Sequence, residues 1–128
     1  MSETTIKVEG PTEEGSKQEE IKLNFGVDGQ NLIPAVVQEA GTGEVLLIAF
    51  MNREAFERTQ TTGKAHFWSR SRQTLWLKGE TSGQFLLVQD MFVNCEENSL
   101  LLKVTLAGGI ACHTGHKSCY YRRIMVEE

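Results

Sequence analysis

The chain has little with which to enter or cross a membrane. None of its 128 residues belongs to an apolar run long enough to span a bilayer, and the amino terminus lacks both the basic start and the apolar segment of a secretion signal. A basic excess is missing too. Thirteen Lys and Arg against 17 Asp and Glu leave a net charge of −4, which argues against nonspecific binding along a nucleic-acid backbone. Cysteine is scarce and odd in number, three in all, so metal ligation in a reducing compartment fits better than a disulfide framework. These absences point to a cytoplasmic protein with neither a membrane nor a nucleic acid as partner. They leave room for a small anionic substrate, because a local cluster of arginines can hold phosphate on an acidic protein.

Residues 1–20 are almost without apolar side chains and are rich in Glu, Thr, Ser and Gly. Such a stretch buries too little surface to offset its ordering entropy, which predicts a flexible acidic tail over 1–20 and one ordered domain over 21–128. Within that domain, residues 32–38 read as a strand that Pro34 pushes toward an edge or a bulge. Residues 40–44 form a glycine turn, and the apolar run 45–50 reads as a strand covered on both faces, completing a hairpin. Asn52 is placed to cap a short helix with Glu54 in its first turn, Ala55, Phe56 and Thr59 facing inward, and Gly63 at its end. Residues 65–71 and 74–78 make a second strand pair. Residues 85–93 and 100–106 make a third, with Cys95 at its hairpin tip. The expected fold is mainly β (α+β), a small twisted antiparallel, barrel-like sheet with one or two short helices.

Chemistry concentrates in residues 111–119, Ala-Cys-His-Thr-Gly-His-Lys-Ser-Cys, together with Cys95. Thiolates are strong zinc ligands, and catalytic zinc sites use three protein ligands and keep a fourth position for water. The Cys-x6-Cys spacing is wider than that of zinc fingers and suggests an irregular loop closing over a metal, with Gly115 letting it turn back. Three buried free thiols are the plainer alternative. His113, next to a potential ligand, is a candidate base or else a merely exposed neighbour. His116 is a possible fourth ligand, which would close the site. In a second constellation, Arg70, Arg72 and Lys78 can meet phosphate while Trp68 and Trp76 offer faces for stacking a base. Taken alone, that stretch reads better as a half-buried strand with solvated charges. The acidic turn at Glu96 and Glu97 is a weak signal for a hard cation.

Three motifs in order, Trp-Ser-Arg-Ser-Arg at 68–72, Leu-Trp-Leu-Lys-Gly-Glu-Thr-Ser-Gly at 75–83 and the 111–119 segment, resemble the phosphoribosyl-AMP cyclohydrolase family of histidine biosynthesis. The likeness runs from about Leu32 to Tyr121. It implies hydrolysis of the bond between N1 and C6 of the adenine ring in N1-phosphoribosyl-AMP, by a zinc-dependent homodimer whose metal is shared across the interface. Carried over, Cys95 from one subunit and Cys112 and Cys119 from the other hold the zinc. His113 assists proton transfer, and Trp68, Arg70, Arg72 and Lys78 contact a phosphorylated purine nucleotide. The resemblance also implies magnesium held by aspartates in the pattern Asp-Cys-Asp-x-Asp. This chain reads Asn94-Cys95-Glu96-Glu97-Asn98 there, so Asn94, Glu96 and Asn98 are weakened magnesium positions. Two rival readings follow. One is a diverged paralogue hydrolysing another purine-like or cyclic amidine substrate, and the other is a non-catalytic zinc-clasped dimer.

Overall fold

The structure, a computed structural model, describes residues 4–12 and 15–127. It is mainly β with one helix among the described residues. Strands Thr4–Thr12 (β1) and Gly15–Leu23 (β2) form an antiparallel ribbon. Strands Ile33–Glu39 (β3), Val45–Met51 (β4), Leu86–Val93 (β7) and Leu100–Leu106 (β8) form a sheet in the order β4-β3-β8-β7. Helix Arg53–Thr62 (α1) and the short hairpin His66–Ser69 (β5) and Thr74–Leu77 (β6) lie between β4 and β7 in the chain.

The described residues of the stretch expected to be a flexible tail, 1–20, pair in the first ribbon. The pattern behind this is short. Ile6 lies opposite Ile21, and Ile6 and Val8, on one face at strand period, pack against the core. Every β2 residue up to Glu20 is exposed, in keeping with the low apolar content of that stretch.

The expectation of an antiparallel, barrel-like sheet is corrected in two respects: the sheets are open, and the larger one is mixed, because β3 pairs with β8 in parallel. Hairpins are legible locally, but β8 reaches the free edge of β3 only after a long crossover, which delivers it in the same direction. Pro34 is accommodated because the β8 ladder begins at Ala35, leaving the proline paired with β4 alone. A bulge follows at Val37/Gln38. The expectation that 45–50 is covered on both faces also fails. Leu46 and Leu47 are buried, while Val45 and Ile48 stand open to solvent.

The helix forms as its residues dictate. Asn52 Oδ1 accepts the Ala55 N–H at 2.9 Å, Gly63 ends the helix at φ 74° and returns its N–H to Thr59 O, and Ala55, Phe56 and Thr59 are buried. That buried face meets Phe25, whose ring centroid is 5.7 Å from that of Phe56. The core continues through Val37, Leu46, Met51, Phe67, Leu86, Leu102 and Val104. Among the described residues no helix is long and apolar enough to cross a membrane.

Candidate active site

After β8 the chain enters the cysteine loop, which is irregular, as its spacing predicts. Cys112 N–H donates to His116 O, Gly115 N–H to Cys112 O and Ala111 N–H to Lys117 O, each at 3.0 Å. Gly115 sits at φ 92°, a conformation that disfavours any side chain. The end of the loop is fastened to the β3–β4 hairpin. Ser118 Oγ donates to Val45 O at 2.8 Å, and Cys119 N–H donates to Leu46 O at 2.7 Å. The Lys117 ammonium lies 2.6 Å from Glu39 and 3.1 Å from Glu44.

Cys112 is buried and Cys119 exposed, and each thiol influences the titration of the other. Thr114 Oγ1 lies 2.9 Å from Cys112 Sγ. That hydroxyl, followed by the Thr114 backbone, holds the Cys112 thiol below its ordinary value, and the Lys78 charge adds to the effect. Desolvation and the neighbouring Cys112 push Cys119 up. Cys112, Cys119 and the Lys78 charge thus influence one another. The Lys78 ammonium also lies 5.4 Å from the centroid of Trp76. Cys95 is exposed in the β7–β8 turn. Among the described residues, no three His, Cys, Asp or Glu side chains are gathered within one chain to hold a metal.

His113 is exposed and turns into an open groove of about 850 Å3 that it shares with Trp68, Arg70, Arg72, Phe50 and Trp76. The two sequence constellations thus meet in one place. The β5–β6 turn that carries the arginines is pinned by Gln73 Nε2 donating to Arg70 O at 2.8 Å and by Arg72 N–H donating to Ser69 Oγ at 3.3 Å. The Arg70 guanidinium lies 4.2 Å over the Phe50 ring, a cation–π contact that fixes its direction. His116 has its ring stacked on Tyr121 at 3.6 Å and 8°, with the Arg122 guanidinium 5.7 Å from the same tyrosine.

Sequence reasoning missed Phe50, Thr114 and Ser118. Thr114 left a signal, a hydroxyl two residues beyond a thiol. Ser118 and Phe50 left none, because their partners Val45 and Arg70 are distant in the chain.

The Asn94–Asn98 turn is closed by its own amides. Asn94 Oδ1 accepts the N–H groups of Asn98 and Ser99, both at 2.8 Å, and Asn94 Nδ2 donates to Asn98 Oδ1 at 2.6 Å. Glu96 is exposed, and Glu97 takes φ 58°.

A family model described as phosphoribosyl-AMP cyclohydrolase matches residues 47–121. A protein of that name from Desulfotalea psychrophila is 48% identical over 104 residues, covering 81% of this chain and 82% of the relative. Its namesake from Methanothermobacter thermautotrophicus is 54% identical over 110 residues, with 84% and 79% covered. A third, from Methanococcoides burtonii, is 55% identical over 97 residues, with 76% and 79% covered.

Proposed function

Because the chain belongs to the phosphoribosyl-AMP cyclohydrolase family, we propose that it hydrolyses the N1–C6 bond of the adenine ring of N1-phosphoribosyl-AMP in histidine biosynthesis. The observation that supports this best is the groove in which His113, Trp68, Arg70 and Arg72 converge, with His113 coming from the loop that also carries Cys112 and Cys119.

Arg70 and Arg72 offer guanidinium forks to phosphoryl oxygens. Trp68 gives the purine a face to lie on. With C6 of the ring near His113, the imidazole accepts a proton from the water that adds to C6 and returns one to N1 as the N1–C6 bond breaks, leaving a carboxamide at C6. Lys78 keeps a positive charge beside the two thiols and stabilises their ionised form.

Zinc fits this donor set. Two soft thiols share one loop and influence one another's titration, and Cys95, exposed at a hairpin tip, is free to supply the third from a second copy of the chain. When bound, the ion supplies Lewis acidity that lowers the pKa of water. A homodimer follows from that ligand set, and the outward-facing Ile48 and Phe92, each about half exposed, suit a buried contact. Free thiols in such a site also suit a reducing cytoplasm. The Asn94 and Asn98 amides, engaged with each other and with backbone N–H groups, do not fit magnesium, and no step here uses it.

The test is an assay of the purified, zinc-loaded protein on N1-phosphoribosyl-AMP with and without magnesium. Ring opening supports the reading. Zinc-loaded protein that leaves this substrate intact but opens another cyclic amidine identifies a diverged paralogue. Zinc binding with no turnover on either identifies a zinc-clasped dimer.

A further inference from the structure

The turn between β7 and β8 is chemically complete without an ion. Magnesium demands near-octahedral oxygen ligands, usually including carboxylates, with lone pairs free to bind it. The Asn94 carbonyl has both lone pairs engaged, by the backbone N–H groups of Asn98 and Ser99 at 2.8 Å each. The Asn98 carbonyl accepts the Asn94 amide at 2.6 Å. Glu97 N–H donates to Asn94 O at 3.0 Å, inside a turn that puts Glu97 at φ 58°. Such a left-handed non-glycine residue persists only where its surroundings over-determine it. Two carboxylates in the places of Asn94 and Asn98 would set like charges a hydrogen bond's length apart, an arrangement that calls for a cation between them. Two amides need none, since one can donate to the other.

We propose that the Asn94–Asn98 amide clasp stands in for a divalent cation at this hairpin tip, and that Asn94 is a positioning residue that presents the adjacent Cys95. The presenting role rests on the reading of Cys95 as a zinc ligand; the cation-free closure of the turn does not. A turn locked by five hydrogen bonds around Asn94 holds the neighbouring thiol in one direction, which lowers the ordering cost when a metal draws on it.

Four variants of the zinc-loaded chain test this, with manganese as a paramagnetic probe of the tip and amide exchange at Asn98 and Ser99 as the readout of the clasp. In the unaltered protein we expect no saturable manganese binding below millimolar concentration, and exchange at both amides indifferent to magnesium. The double variant Asn94→Asp/Asn98→Asp should gain a manganese site, with fast exchange that slows when the cation is added. Asn94→Ala should speed exchange at both amides about tenfold, the equivalent of one lost hydrogen bond, and release zinc to a chelator faster. Asn94→Asp alone, which keeps the acceptor, should restore much of the protection. Micromolar manganese binding by the unaltered protein, with protection at Asn98 and Ser99 that depends on it, would overturn the cation-free closure. Faster exchange in Asn94→Ala with unchanged zinc release would overturn the presenting role. If Cys95→Ser also releases zinc at an unchanged rate, the ligand reading itself fails, and the manganese result still decides the clasp.

Discussion

His113 makes no side-chain hydrogen bond or ion pair among the described residues, yet it faces the groove that holds Trp68, Arg70 and Arg72. An imidazole left free of local partners, in a position where others converge, is suited to exchanging protons with a ligand. His116, three residues on, has its ring covered by Tyr121. His113→Ala should therefore retain zinc while kcat falls roughly 100-fold or more, and His116→Ala should cost far less. Metal analysis alongside steady-state kinetics checks this. Zinc lost from the His116 variant together with activity would make His116 a ligand. The sequence carried this much, since the histidines, the arginines and Trp68 were all legible as candidates. What it did not carry was support from afar. Phe50 orients Arg70 from another strand, and no local pattern marks an aromatic ring as the seat of a distant guanidinium.

Among the elements, the legible ones are those whose signals are local. The cap at Asn52, the stop at Gly63 and the inward Ala55, Phe56 and Thr59 are decided within a few residues. The fastening of the cysteine loop is not, because Lys117 finds Glu39 and Glu44 across the β3–β4 turn. That fastening has a sign in pH. The Lys117 hydrogen bond, then that of Thr42, holds Glu39 below its ordinary value of 4.5, and Glu39, then Glu44, holds Lys117 above its ordinary 10.5. A depressed carboxyl contributes above its unfolded value and loses that contribution as pH falls through the folded one; a raised ammonium contributes below its unfolded value and loses it on the alkaline side. The link is therefore whole across neutral pH and opens on the acid side. Relative to intrinsic exchange, protection of the amides in residues 115–119 should fall as pH drops below the ordinary carboxylate range, and at neutral pH it should be lower in Glu39→Gln. Equal exchange in the two proteins at neutral pH would show that the ion pair does not hold the loop.

At the scale of the whole molecule, the open sheet leaves Ile48 and Phe92 half exposed, and the three thiols divide between the cysteine loop and the β7–β8 turn. If two copies complete each metal site, metal and assembly are one equilibrium, because ligand binding to the dimer alone shifts dissociation by mass action. Cys95→Ser should lower zinc content and weaken the dimer together, seen by metal analysis and sedimentation. A tight monomer with one zinc per chain would refute the shared site. The parallel pairing of β3 with β8 bears on a different matter, the order in which a nascent chain matures. As the polypeptide leaves the ribosome, β3 and β4 close their hairpin early, but the other edge of β3 stays bare until the helix, the β5–β6 hairpin and β7 have all emerged. Only then can Ser118 and Cys119 reach Val45 and Leu46. Non-local pairings of this kind form slowly and leave strand edges exposed to aggregation in the meantime. The proposed catalytic loop thus takes shape only after the strands it is fastened to, and this fold is most vulnerable just before it does.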